Sequence, residues 1–190
     1  MSEWTAETAE WYAEKYGEYP TNRLTVEHLE LAADAVVLDV GCGTASALRH
    51  AATKVTRGAL IGVDPVPRMV EIARERLVGH PAAERIRLHV APAHALPLDD
   101  ASVDVVLALD SYDHWVPHQR EGLAEARRVL VPTGRLVVVK DASVPYAAKA
   151  KRQFSIALVE AGFRVVEERS TKKADATFTT WVCRVDEAPK

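Results

Sequence analysis

The sequence predicts an α/β fold in which helices cover both faces of a mostly parallel, doubly wound sheet. Apolar, strand-like runs alternate with helical patterns along most of the 190 residues, which is typical of this architecture. The first such strand, 36–40, leads directly into a turn with two glycines at 41–43, and a helix follows. The last two strands, 163–168 and 177–185, are joined by a polar loop without a crossover helix, which predicts an antiparallel final strand.

A strand, a glycine turn and a helix in this order form the arrangement of a nucleotide site in a parallel sheet. Glycine lets the backbone pass close to a ligand because no Cβ stands in the way, and the helix N-terminus offers unpaired N–H groups. The sheet is therefore predicted to be Rossmann-like, with its ligand outside the carboxyl ends of the strands.

The remaining elements follow from hydrophobic periodicity and from turn residues. The predicted helices are 3–17, 25–33, 44–52, 67–78, 119–130 and 145–161, and the further strands are 59–63, 85–90, 103–109 and 135–140. Gly17 and Pro20 are interpreted as the stop of the first helix. The length favours a single domain at 1–190, with an N-terminal helical cap at 1–34 and a Rossmann-like core at 35–190.

Composition argues against several classes of protein. A net charge of −3 gives no basic footprint, so nucleic acid is not predicted as a partner. The N-terminus lacks the pattern of a signal peptide, and no apolar run approaches the length of a membrane helix. The two cysteines, Cys42 and Cys183, form neither a disulfide framework nor a metal knuckle. We therefore predict a cytoplasmic protein with no metal and no membrane partner.

Two carboxylates accompany the glycine turn. Asp39 lies two residues before Gly41, and Asp64 ends the second strand, where a carboxylate can accept both hydroxyls of a ribose. The segments 39–44 (Asp-Val-Gly-Cys-Gly-Thr) and 62–65 (Gly-Val-Asp-Pro) together resemble motifs I and II of class I S-adenosylmethionine-dependent methyltransferases. The type 11 branch, related to the ubiquinone and menaquinone methyltransferases, is the most similar. The resemblance covers about residues 36–141 and implies S-adenosylmethionine as cofactor.

The resemblance also implies which residues bind the cofactor. They are Asp39, Gly41, Cys42, Gly43, Asp64, Pro65, Met69, Ala93, His94 and Asp110. At 91–97 the chain departs from the family pattern, because Pro92 stands where an aspartate usually receives the adenine amino group. Either a backbone carbonyl or His94 replaces that carboxylate, or cofactor affinity is weaker. One lost hydrogen bond would cost on the order of 1 kcal/mol, which is under tenfold in affinity.

The fourth strand leads into polar residues at 110–115, which should face the methyl donor. Methyl transfer from a sulfonium is an in-line displacement, and a general base is needed only if the nucleophile arrives protonated. We predict His114 as that base, Asp110 as the residue that orients the donor, and Asp113 as a third catalytic candidate. The spacing of Asp110, Asp113 and His114 is not diagnostic of a metal site.

Aromatic side chains are the candidates for binding the acceptor. Trp115 follows the fourth strand, and the N-terminal segment supplies Tyr12 and Tyr16, with Trp11 and Tyr19 as further candidates. Lys140, at the end of the fifth strand, either meets an anionic substrate or is solvated or paired with Asp141.

We therefore predict a methyltransferase that acts on a small-molecule acceptor. The first alternative is a non-catalytic binding or regulatory protein that keeps the same fold. The second is an NAD-linked oxidoreductase, which the missing third glycine, Asp39 and the reversed final strand disfavour.

Overall fold

The computed structural model describes residues 4–141 and 148–186. Within these residues the strands form one seven-stranded sheet in the order β3-β2-β1-β4-β5-β7-β6. The strands are β1 (Val36–Val40), β2 (Ala59–Asp64), β3 (Ile86–Val90), β4 (Val103–Leu109), β5 (Leu130–Asp141), β6 (Phe163–Lys172) and β7 (Thr177–Val185). The five strands β3, β2, β1, β4 and β5 are neighbours in this order, and each adjacent pair is parallel. In contrast, β7 runs antiparallel to both β5 and β6. This confirms the predicted Rossmann-like sheet with a reversed final strand.

Helices cover both faces of the sheet. Side chains along a strand point alternately to the two faces, so each central strand contributes to a core on either side. The helices are α1 (Ala6–Tyr16), α2 (Pro20–His28), α3 (Ser46–Ala51), α4 (Pro67–Leu77), α5 (Gln119–Val129) and α6 (Ala148–Glu160). On one face Val37 of β1 packs in a core with residues of α2 and α3. On the other face its neighbour Leu38 shares a core with Leu123 of α5 and Phe154 of α6. None of the described helices combines the length and the apolar character that crossing a bilayer requires.

The N-terminal helices are fastened to the core around one carboxylate. Glu18, in the turn between α1 and α2, forms ion pairs with Arg49 of α3 and with Arg76 of α4. Arg76 also donates to the carbonyl of Ala13, and the Thr44 hydroxyl donates to the carbonyl of Gly17 at 2.5 Å. The α1–α2 segment is therefore held beside the glycine turn, at the carboxyl ends of the parallel strands.

Three predicted elements have bounds that differ from the structure by four residues or more. The second helix spans Pro20–His28 and not 25–33, because Pro20 does not stop a helix but occupies the first turn of α2. Proline suits that position, since its fixed φ is helical and its missing N–H has no partner to lose there. Strand β5 begins at Leu130, which already pairs with Val103 across an irregular register. Strand β6 extends to Lys172, into the predicted loop. The predicted start of the last helix, at 145, lies outside the described residues.

Candidate active site

The glycine turn after β1 is packed tightly against the segment that follows β4. Gly41 and Gly43 both have positive φ, of 76° and 52°. The N–H groups of Gly41 and Cys42 both donate to the carbonyl of Val63 on β2. A Cβ added to Gly41 would lie 2.5 Å from the Cβ of Ser111, whose hydroxyl donates to the carbonyl of Val40. A Cβ on Gly43 would meet no atom within 4 Å. The turn therefore has no room for a side chain at Gly41, whereas the space beside Gly43 is empty of protein atoms.

This difference gives a prediction for the pair Gly41→Ala and Gly43→Ala. Both variants place alanine at a positive φ, which costs about 1 kcal/mol. Only Gly41→Ala also drives a Cβ into Ser111, so we expect it to lower the free energy of unfolding by about 2 kcal/mol more than Gly43→Ala. Urea denaturation of the two variants measures the difference. Equal losses would show that Ser111 moves aside without cost.

Asp64 ties the end of β2 to the glycine turn. Its carboxylate accepts the N–H of Gly43 at 3.1 Å through one oxygen and the N–H of Val66 at 3.0 Å through the other. Burial raises the pKa of Asp64, and these two backbone donors oppose the rise. A carboxylate oxygen has two lone-pair directions, so each oxygen can accept a further hydrogen bond.

Two cavities open beside the glycine turn. The β2-side cavity has a volume of about 830 Å³. Its lining includes Trp4, Tyr12, Gly41, Gly43, Asp64, Pro65, Met69, Pro92, Ala93, His94, Asp110, His114 and Trp115. Eight of the ten predicted cofactor residues are in this set, and Asp39 and Cys42 line the other cavity instead. Trp115, predicted to meet the acceptor, is buried on the β2 side, with no hydrogen-bond partner for its indole N–H in the described chain.

The β5-side cavity has a volume of about 480 Å³. Its lining includes Tyr12, Tyr16, Tyr19, Asn22, Asp39, Cys42, Asp110, Tyr112, Asp113, His114, Lys140 and Asp141. The lining residues common to both cavities are Tyr12, Gly41, Gly43, Leu109, Asp110 and His114. The two cavities therefore meet where β1 and β4 end, so ligands in them would touch at this shared wall.

Asp39 is a buried carboxylate that its surroundings do not satisfy. It is 3% exposed, and its Oδ1 atom has no hydrogen-bond partner in the described part of the chain. Burial, with the charge of Asp64 as a smaller cause, raises the pKa of Asp39 to about 7. Buried polar atoms are almost always hydrogen-bonded in proteins. The open oxygen is therefore suited to an ammonium group supplied by a ligand.

Asp110 and His114 lie at the shared wall. Asp110 has a positive φ of 54°, and its Oδ1 accepts the N–H of Asp141 at 2.5 Å. Burial is the main reason why the pKa of Asp110 rises to about 6, and the charges of Asp141 and Asp113 add to it. His114 is exposed, and its ring lies edge-on to Trp4 with centroids 6.4 Å apart.

Asp113 forms an ion pair with Lys140. Its Oδ1 atom lies 2.6 Å from the Nζ atom of Lys140. That Nζ lies 4.9 Å from the ring centroid of Tyr112 and 5.1 Å from that of Phe154, so the buried cation is held by charge and by two aromatic faces. Of the alternatives for Lys140, solvation is wrong, because the side chain is buried and forms this ion pair.

Sequence reasoning missed one contact in the β5-side cavity. The hydroxyl of Tyr19 donates a hydrogen bond to Oδ2 of Asp141. This contact is the main reason why the pKa of Tyr19 rises to about 12. Asp141 ends a parallel strand, as Asp64 does, so the rule that ligands lie at the carboxyl ends of strands could have identified Asp141 as a site residue, although not its contact with Tyr19.

The strand order, the reversed β7, the glycine turn after β1 and the carboxylate that ends β2 define a class I S-adenosylmethionine-dependent methyltransferase fold. Residues 38–138 match the type 11 family described as "Methyltransferase domain". The chain belongs to this family.

Proteins of similar sequence and structure support this family assignment. The ubiquinone/menaquinone biosynthesis C-methyltransferase UbiE of Geobacter sulfurreducens is 37% identical over 120 residues, which cover 63% of this chain and 46% of that protein. An uncharacterized protein of transposon TN4556 from Streptomyces fradiae is 42% identical over 102 residues, 53% of this chain and 28% of its own length. The chain thus spans less than half the length of these two relatives. A methyltransferase structure from Aquifex aeolicus shares the fold, with a TM-score of 0.76 at 18% identity, covering 96% of this chain and 100% of that one.

Proposed function

We propose that this protein transfers a methyl group from S-adenosylmethionine to a small-molecule acceptor. The observation that carries the proposal is the shared wall: two cavities of about 830 and 480 Å³ meet at the glycine turn and at Asp110. A donor on the β2 side and an acceptor on the β5 side would be brought together there, and holding two reactants in line is the main requirement of a displacement.

The residues present fit the donor. Gly43 leaves its side of the turn open for close approach, and Asp64 lines the β2-side cavity with acceptor capacity for ribose hydroxyls. The unsatisfied oxygen of Asp39, which lines the β5-side cavity next to the shared wall, fits the donor's ammonium group if that end of the donor crosses the wall. Met69, Ala93 and His94 would enclose the adenine. S-adenosylmethionine, when bound, supplies a methyl group already activated by the positive charge on sulfur.

The chain's own residues would then align the reactants and exclude water. Tyr12, with its ring between those of Trp4 and Tyr16, lines both cavities and shields their junction. Asp110 would orient the donor, and His114 at the shared wall would accept a proton from an acceptor that arrives protonated. Asp113 would act indirectly in this scheme, because it neutralises Lys140.

A small acceptor is supported by the size of the β5-side cavity and by its cover. The α1–α2 segment contributes Tyr16, Tyr19 and Asn22 to the lining, which leaves room for a compact molecule. We accordingly interpret residues 1–34 as the cap of one domain whose core is 35–190. Cys42 and Cys183 are both free and buried, which supports a reducing, cytoplasmic location.

Calorimetric titration of the full chain tests the proposal. We expect saturable binding of S-adenosylmethionine and of its demethylated product, S-adenosylhomocysteine, and no binding of NAD under the same conditions. A folded protein that binds neither adenosyl ligand would overturn the proposal. A protein that binds NAD instead would support the oxidoreductase alternative.

A further inference from the structure

Three arginines lie side by side on one face of the sheet, at the end opposite the candidate active site. Arg135 of β5 is the register partner of Arg184 of β7, and Arg184 is also the partner of Arg164 of β6. Residues directly opposite each other in an antiparallel pair point to the same face, with Cβ atoms about 5 Å apart. The arginine row therefore extends over roughly 10 Å, beginning beside the first residues of β4.

Arg135 and Arg184 carry charges that their contacts do not neutralise. Arg135 donates to the backbone carbonyl of Glu30, Arg184 donates to that of Thr133, and neither forms an ion pair within the described residues. Burial lowers the pKa of Arg135, the charge of Arg184 lowers it further, and the charges of Glu30 and Glu167 oppose this fall. Like charges directly opposite each other destabilise a sheet. An anion between the two guanidinium groups would relieve this repulsion.

A cavity with a volume of about 450 Å³ lies beside these two guanidinium groups. Its lining combines Arg135, Arg184 and Thr133 with the carboxylates of Glu30, Asp34 and Asp104. Two of the carboxylates have other partners. Asp104 accepts the backbone N–H of Val36 at 2.7 Å, and Asp34 lies 4.0 Å from the guanidinium of Arg57. The cavity therefore has room for a small ligand next to two arginines that hydrogen-bond only to backbone carbonyls.

Open hydrogen-bond donors are a second observation, independent of the charges. The Nε atom of Arg135 is buried and has no hydrogen-bond partner in the part of the chain that the structure describes. A guanidinium group has five N–H donors in a planar fork, and Arg135 and Arg184 each use one nitrogen atom in the contacts above. Two parallel N–H groups of such a fork match two oxygens of a carboxylate or a phosphate.

We propose that the oxyanion of a small ligand, a carboxylate or a phosphate group, binds in this cavity between the guanidinium groups of Arg135 and Arg184. The oxyanion accepts N–H groups from both arginines and compensates their charges. The site shares no lining residue with the β2-side or the β5-side cavity. The inference therefore goes beyond the proposed function and does not depend on it.

Inorganic phosphate and malonate, a dicarboxylate, are the probes that test the inference. Each is titrated calorimetrically into the full chain, in chloride buffer of constant ionic strength. We expect at least one probe to bind with a Kd of about 1 mM or below, and the variant Arg184→Gln to weaken that binding by about tenfold or more. Tighter binding of phosphate assigns a phosphate group to the ligand, and tighter binding of malonate assigns a carboxylate.

Two further variants separate the fork from general charge. Arg184→Lys keeps the positive charge but loses the planar fork, so we expect an intermediate loss of about threefold. This conservative variant also decides the test if Arg184→Gln does not fold. The control is Arg87→Gln, which removes an exposed arginine of β3 outside the cavity and should bind the probe as the original protein does.

Thermal unfolding gives a second readout. At about 20 mM, the better probe should raise the Tm of the original protein and of Arg87→Gln by about 4 °C, but that of Arg184→Gln by less than about 1 °C. Equal shifts in all three proteins would show a general salt effect and overturn the inference. Failure of both probes to bind below about 10 mM, or unchanged affinity in the Arg184 variants, would also overturn it.

Discussion

Replacing Asp64 with alanine is expected to weaken the binding of S-adenosylhomocysteine by about tenfold or more. The carboxylate lines the β2-side cavity and is the acceptor for the backbone N–H groups of Gly43 and Val66. Its removal would take away the acceptor for the ribose hydroxyls and also loosen the glycine turn. Hydrogen bonds to a charged group contribute about 1.5–3 kcal/mol each, so the loss of one such bond already reaches tenfold.

Two further variants separate binding from folding. Asp64→Asn keeps one acceptor for a backbone N–H and should lose affinity to an intermediate extent. Asp175→Ala removes an exposed carboxylate outside both cavities and should bind as the original protein does. Titration calorimetry gives the affinities, and circular dichroism shows whether each variant is folded. A folded Asp64→Ala variant with unchanged affinity would remove Asp64 from the donor site.

The sheet could be predicted well because its signals are local. The apolar run 36–40 predicts β1, the two glycines mark its carboxyl end, and Asp64 marks the carboxyl end of β2. In the structure these two strand ends lie side by side. The predicted range of α2 began five residues too late because proline has two opposite roles in helices. Proline can end one helix or occupy the first turn of the next, and the sequence does not show that Pro20 has the second role.

The division between the two cavities could not be read from the sequence. Trp115 and His114 are adjacent along the chain, yet Trp115 lines only the β2-side cavity whereas His114 lines both. The turn at Tyr112–Trp115 decides this, and its packing depends on Gly122 of α5, where a Cβ would lie 2.7 Å from the Trp115 ring. The contact between Tyr19 and Asp141 joins residues 122 positions apart, so no local pattern indicates it.

Replacing Asp39 with asparagine should produce two effects of opposite sign. We expect the ligand-free variant to be more stable than the original protein at pH 8, by on the order of a few kcal/mol. We expect the same variant to bind S-adenosylhomocysteine about tenfold less tightly, because the amide cannot compensate an ammonium charge. A residue with only a structural role would not give this combination.

The sign follows from the pKa of Asp39, which burial raises from an ordinary value of 3.8 to about 7 in the folded protein. A folded state that binds the proton more tightly gains stability from it below about pH 3.8, and this gain is lost as the pH rises through about 7. The ligand-free protein should therefore lose stability between pH 4 and pH 8. Asp110, with a pKa of about 6, adds to the slope in the same direction, so Asp39→Asn should reduce the slope without abolishing it.

Urea denaturation at several pH values, with and without S-adenosylhomocysteine, measures these effects. Saturating ligand should flatten the pH dependence of the original protein, since an ammonium group beside Asp39 favours the ionised carboxylate and lowers its pKa. The ligand should flatten the curve of Asp39→Asn much less. If Asp39→Asn instead proves less stable than the original protein at pH 8, the open oxygen of Asp39 is satisfied in the free protein, and the donor's ammonium group binds elsewhere.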